Sequence, residues 1–361
     1  MPLNKREFDS VVEQKPYSSS GIRGLLIGQL LSLIVLVALT LDTSASQDSK
    51  KTGRPDLAVD AAKLSAADKS ELTEVLRLQA ELGDLVWPGF GRAHVPIILF
   101  NDRFEFLVGK ASPPAPWAVV KGDSFNGKPY HRRVASNPQG FAVGVGDAWA
   151  GSLSTLDWSN RRNPMKVTRE LHVIAILHEM FHAYQAIRSP EQFKKAGAAY
   201  AAEARYPFRD PEFADTWDKE GSLLAAALKV KDVSATRPVI SQFLQVRDAR
   251  RARAALGPEL LSFERELEWL EGMAKYVEVR LCELVVSHPA YSGWRLPYFQ
   301  EGFVRLERQL GRQDGDLRFY LSGMAQGRLL DRLSQSWKEQ TMQDGVYLEE
   351  LLRVAVGLEK K

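Results

Sequence analysis

The period of apolar and polar positions changes several times along the chain, and each change marks a predicted element. Residues 1–23 are polar and of mixed charge, with Lys5, Arg6, Lys15 and Arg23 against Glu7, Asp9 and Glu13. From Gly24 to Leu41 there is no charge, and eighteen such residues, most of them apolar, are just enough to cross a bilayer as a helix. Thr43-Ser-Ala45 offers a small-residue cleavage site, but the long polar lead and long apolar run favour an uncleaved signal anchor over a signal peptide. Arg23 places the N-terminus in the cytoplasm. The expectation is a protein attached to the membrane through this helix, with its folded part outside the cytoplasm, periplasmic or extracellular, or secreted if the segment is cleaved. Residues 42–64 begin rich in Ser, Thr, Asp and Lys and read as a linker.

Residues 65–361 read as one domain. Ser65-Ala-Ala-Asp68 predicts a helix start, and Leu72, Val75, Leu76, Leu82, Leu85 and Val86 recur at helical spacing until Trp87, where Pro88-Gly89 stops the helix. Between 95 and 155 the period shortens. Val95-Pro-Ile-Ile-Leu-Phe100, Phe104 to Val108, Trp117 to Val120 and Phe141 to Val145 read as strands, and Asn126-Gly127 is a hairpin signal. From 163 to 357 the pattern is helical. Asn163-Pro164, Ser189-Pro190 and Asp210-Pro211 each resemble a cap followed by proline at the first helical position. Further helices are predicted over about 235–253, from Gly257-Pro258 to about 287, and over about 299–311, 317–338 and 346–356. The predicted fold class is α+β: a predominantly α-helical domain with a small, mostly antiparallel sheet of four or five strands ahead of the principal helix.

Composition changes this picture little. Of 361 residues, 45% are hydrophobic and 26% charged, as in an ordinary globular protein, and a net charge of +3 gives no reason to expect a nucleic-acid partner. Arg247, Arg250, Arg251 and Arg253 cluster around Asp248 and read as a solvated helix face. The single cysteine, Cys282, allows neither an intrachain disulfide nor a cysteine-based zinc site, and its place in a helical pattern makes it a small core residue.

The candidate chemistry lies in Leu171 to Gln185, which contains His178-Glu179-Met180-Phe181-His182. On a helix, residues four apart share a face, so His178 and His182 can aim two imidazole nitrogens at one metal ion. Glu179, about 100° round, stands beside that point, where it can take a proton from a water on the metal. Val173 to Leu177 make the helix apolar nearly all round, so these polar residues are predicted to be buried, where they must be satisfied. A third ligand is needed. His172 is off the face; His94, His131 and His288 read as surface or structural. Among carboxylates, Glu271 is the leading choice, because Gly272 and Ala274 beside it would let the motif helix come close. Glu220, also followed by glycine, is the rival.

His178-Glu179-x-x-His182 followed by Glu271-Gly-x-Ala-x-Tyr276 resembles the gluzincin class of zinc metallopeptidases over about residues 167–278. That resemblance implies zinc held by His178, His182 and Glu271, with Glu179 as general base. It further implies a tyrosine or histidine that steadies the reacting carbonyl oxygen, for which Tyr320 is the first choice and Tyr276 the second. An edge strand ahead of the motif helix would bind extended peptide, and residues 140–146 are suited to it. The interval from His182 to Glu271 is longer than in familiar members. The expected function is zinc-dependent hydrolysis of peptide bonds in a peptide or protein substrate. Two other readings stay open: a catalytically inactive zinc-bound helical domain serving binding or assembly, and a zinc hydrolase of a non-peptide amide.

Overall fold

A computed structural model describes residues 62–358 except 165, 295 and 297. The chain opens with helix α1 (Ala66–Val86) and then forms strands β1 (Ile97–Phe100), β2 (Phe104–Val108), β3 (Ala118–Val119), β4 (His131–Val134), β5 (Phe141–Val145) and β6 (Ala148–Ser154). Helices follow: α2 (Leu156–Arg162), α3 (Arg169–Arg188), α4 (Pro190–Ala199), α5 (Pro211–Lys229), α6 (Val233–Arg253) and α7 (Pro258–Leu267). After α7 comes a π turn, Glu268–Gly272, and then α8 (Met273–Ser287), α9 (Tyr298–Gln309), α10 (Leu317–Leu333), α11 (Trp337–Gln340) and α12 (Leu348–Ala355). The fold is α+β and mostly helical, with one small sheet.

Local chemistry explains several boundaries. Ser65 Oγ accepts from Asp68 N at 3.0 Å while Asp68 Oδ2 accepts from Ser65 N at 2.8 Å, a reciprocal cap on α1. Asp210 Oδ1 caps α5 through Phe213 N at 2.9 Å, with Pro211 in the first turn. Asn126 (φ 50°) and Gly127 (φ 72°) form the predicted tight turn, closed by paired backbone bonds between Phe125 and Lys128. Asn163-Pro164 behaves differently from expectation. Asn163 ends α2, and α3 starts at Arg169, capped by Thr168.

The sheet runs β3-β4-β2-β1-β6-β5, with β1 and β6 parallel and every other pair antiparallel. It has six strands rather than four or five. Strand β4, His131-Arg-Arg-Val134, lacks apolar alternation. It is held instead by Arg132 over the Phe104 ring, Arg133 over the Trp117 ring, and an Arg133–Glu105 ion pair at 2.6 Å. Strand β6 carries Gly151, where a Cβ would lie 2.6 Å from Met180 N, so glycine lets α3 rest directly on the sheet. Helix α3 packs on β5 and β6 on one side and on α1 and α8 on others, and every residue from His172 to Ala186 is buried.

Three expectations need correction. No helix among the described residues is long and apolar enough to cross a membrane. The longest, α1 and α6 at 21 residues each, carry several charges, and α3 is enclosed by protein. The predicted span, residues 24–41, lies outside the described residues. The expected anchor, the membrane as partner and a location outside the cytoplasm therefore have no described element to support them.

Second, the arginine cluster is not a solvated face. Arg247, Arg250 and Arg251 are buried and paired with Glu220, Glu264, Glu268 and Glu349 at 2.5–3.2 Å, with Arg265 reaching Glu349 from the rim. The network matches four guanidinium groups with four carboxylates, which offsets the cost of taking charge out of water. Only Arg253 is solvent-facing, beside Glu212.

Third, Gly272 faces not α3 but α10. A Cβ there would lie 2.5 Å from Gly323 Cα, so the two glycines form the closest point of a helix crossing.

Candidate metal centre

Helix α3 places His178 and His182 one turn apart on the face turned toward the π turn that carries Glu271. His178 Nε2 and His182 Nε2 are 3.1 Å apart, and Glu271 Oε2 lies 3.2 Å from the second and 3.8 Å from the first. All three side chains are buried, and together they form a group able to hold a metal ion. Zinc binds nitrogen and carboxylate oxygen at about 2.1 Å, so neighbouring ligands in a tetrahedral set stand about 3.4 Å apart. The three observed separations bracket that value.

The histidines are set by their outer nitrogens. His178 Nδ1 lies 3.0 Å from Glu278 Oε2, and Lys275 Nζ donates to the other oxygen of that carboxylate at 2.5 Å. Gln185 Nε2 donates to the carbonyls of Trp269 and Leu270 at 3.0 and 3.1 Å, which leaves Gln185 Oε1 to accept from His182 Nδ1 at 2.9 Å. With Nδ1 holding a proton in both imidazoles, both Nε2 atoms can offer a lone pair to the point they share. Two such lone pairs and a carboxylate oxygen converging in a buried space call for a positive charge. Glu271 Oε2 makes no hydrogen bond of good geometry, as a ligand oxygen would. A proton on His178 would also supply that charge: burial opposes it, but the neighbouring carboxylates of Glu271 and Glu278 outweigh burial and push the His178 pKa up to about 10. The same two histidines hold the Glu271 carboxyl well below the usual range against the pull of burial.

Glu179 lies beside this point, 8% exposed, with Oε2 unpaired. Burial, aided by the negative charges of Glu271 and Glu278 and opposed by His178 and His182, pushes its carboxyl up to about 7. The Tyr320 ring is stacked against His178, with centroids 6.1 Å apart and planes 11° from parallel. Burial and the charges of Glu271 and Asp316 push the Tyr320 phenol well above its ordinary pKa, so it remains a neutral donor. Strand β5 is an edge of the sheet, and its Phe141 ring lies 4.8 Å from the His182 ring.

The structure brings together His178, Glu179, His182, Glu271 and Tyr320. It does not bring Tyr276, whose hydroxyl donates to Asp331 at 2.7 and 2.9 Å between the rings of Trp87 and Trp337. Nor does it bring Glu220, both of whose oxygens are taken by Arg247 and Arg250. His172 lies 2.8 Å from Ser154 O and 3.1 Å from Glu71 Oε1, and Cys282 is buried in the core and in no disulfide.

Sequence reasoning missed Tyr200, Asp316, Gln185, Lys275 and Glu278. The last three had a signal: Gln185 follows His182 by three positions, and Lys275 and Glu278 follow Glu271 by four and seven, all on shared helix faces. Tyr200 and Asp316 had none, because they arrive from turns distant in sequence.

Comparisons with protein-family models, with curated proteins and with solved structures found no match, so the chemistry of the site is argued from its own residues.

Proposed function

We propose that this protein is a zinc-dependent hydrolase that cleaves peptide bonds, with a gluzincin-like arrangement of its centre. The observation that carries the reading is the convergence of His178 Nε2, His182 Nε2 and Glu271 Oε2 with the unpaired carboxylate of Glu179 beside them. A zinc ion there would polarise a carbonyl and make water a stronger nucleophile near neutral pH. Glu179 takes the proton of the attacking water and returns it to the leaving nitrogen. Tyr320 donates to the carbonyl oxygen as charge builds on it. Strand β5, open along one edge and passing beside His182, supports an extended peptide as substrate by strand addition.

Metal analysis of the purified full chain beside Glu179→Gln tests this. About one zinc per chain in both proteins is expected, with hydrolysis of a mixed peptide library lost only in the variant, by roughly 100-fold or more. Absence of zinc from the wild type after zinc is supplied would remove the reading. Full zinc, no cleavage of peptides and cleavage of simple acyl amides would change the substrate and keep the centre.

A further inference from the structure

Tyr200 opens the six-residue 3-10 helix after α4, and its hydroxyl lies 3.0 Å from Glu271 Oε1 and 3.0 Å from Asp316 Oδ2. Glu271 therefore has two different oxygens. Oε1 is engaged by a phenol, and Oε2 has no hydrogen bond of good geometry and faces the two imidazoles. A carboxylate left free can swing to offer both oxygens to a metal ion, raising the coordination number and occupying the position that catalysis leaves open. A carboxylate with one oxygen tied to a fixed donor cannot swing without breaking that bond. Tyr200 is itself fixed. Its ring packs edge-on to Phe263, and its single hydroxyl proton lies between Glu271 and Asp316, which is buried just before α10.

We propose that Tyr200 is a positioning residue that makes Glu271 a one-oxygen metal ligand and so keeps a coordination position open. This rests on the metal-centre reading above. The bond is to Oε1 and not to the Oε2 paired with the histidines, so Tyr200 acts through the ligand and not on the substrate. Asp316 also adds negative charge near the site without approaching the histidines as a fourth ligand, since only His178, His182 and Glu271 gather within ligand distance among the described residues.

The test compares wild type, Tyr200→Phe, Asp316→Ala and Glu278→Gln as full chains, each checked for native circular dichroism. Zinc affinity is read by competition with a chromogenic chelator, and coordination by the visible spectrum of the cobalt-substituted protein. Loss of an outer hydrogen bond costs roughly 10- to 100-fold in metal affinity. That loss is expected in Tyr200→Phe, whereas Asp316→Ala leaves the Tyr200 proton to Glu271 alone and should bind zinc at least as tightly as wild type. The cobalt absorption should also weaken in Tyr200→Phe, as a second carboxylate oxygen enters and the site leaves tetrahedral symmetry, and should keep its wild-type shape in Asp316→Ala. Glu278→Gln should lose affinity with the wild-type spectral shape, because Glu278 orients an imidazole that has only one nitrogen to give. A wild-type spectrum in Tyr200→Phe would overturn the proposal, whatever its affinity. Should the wild type bind neither zinc nor cobalt, the metal-centre reading falls, and this proposal with it. Metal binding in the wild type with unchanged variants would remove this proposal alone.

Discussion

Glu220 and Glu271 are both buried, both on helical segments, and both followed by glycine, yet their neighbours set them to different work. Glu220 lies between two guanidinium groups, with no oxygen left for a metal. Glu271 has one oxygen on a phenol and one facing two imidazoles. Deleting either carboxylate should therefore fail differently. Glu220→Ala strands positive charge among Arg247 and Arg250 and should cost about 3–5 kcal/mol of stability, while the folded fraction still binds zinc. Glu271→Ala should lose the metal, and some stability with it, because buried His178 and His182 lose their carboxylate partner. Urea unfolding and metal analysis on the two proteins read both quantities, and a Glu220→Ala protein that folds normally but lacks zinc would reverse the assignment. The histidines and Glu179 were legible in sequence because their chemistry repeats at one helical turn. The sequence favours Glu271 over Glu220 as well, but on the packing expected of Gly272, which faces α10 instead; what separates the two carboxylates is which cations three other elements deliver.

At the scale of elements, the π turn Glu268–Gly272 does what a regular helix could not. Residues three apart on an α-helix lie only about 60° from each other, so Glu268 and Glu271 would share a face. The wider turn parts them: Glu268 reaches Arg247 and Ser322, and Glu271 reaches the histidines. The turn is pinned where Gly272 meets Gly323. A Cβ on Gly323 would lie 2.6 Å from Glu268 O and 2.7 Å from Gly272 Cα, both backbone atoms that cannot step aside. Gly323→Ala should cost about 1–3 kcal/mol and weaken zinc binding together. Gly197→Ala, in an exposed helical position with nothing near its Cβ, should stabilise by up to about 1 kcal/mol and leave the metal alone. Thermal melts with parallel zinc titrations decide, and unchanged zinc affinity in Gly323→Ala would separate the crossing from the site. Most helices could be read from their caps and prolines. Strand β4 and the partner of Gly272 could not, since arginine–aromatic contacts and a glycine fifty residues away leave no periodic trace.

The whole molecule encloses its largest group of charges in a helical core. Burial alone would raise the Glu264 and Glu349 carboxyls, but the neighbouring Arg250, Arg251 and Arg247 hold both well below the usual carboxylate range. The folded values lie below the unfolded value near 4.3, so the unfolded chain binds more protons between the two. The network's contribution is thus complete above about pH 5 and drains away as pH falls toward the folded values. Melting temperature should drop steeply from pH 5 to pH 3, and Glu264→Gln should start lower and fall less. A wild-type midpoint that stays level over that range would show that the network does not govern acid stability.

One consequence concerns how the chain is tied together. A single cysteine permits no internal disulfide, so no covalent bond joins distant parts of the chain. His182 and Glu271 enclose eighty-eight intervening residues, and with them helices α4 to α7. An ion bound by both would staple that length shut, and at a hundred times its dissociation constant would add about 2.7 kcal/mol to the folded state. Zinc supply would then set how much of the protein survives, not only how fast each copy works.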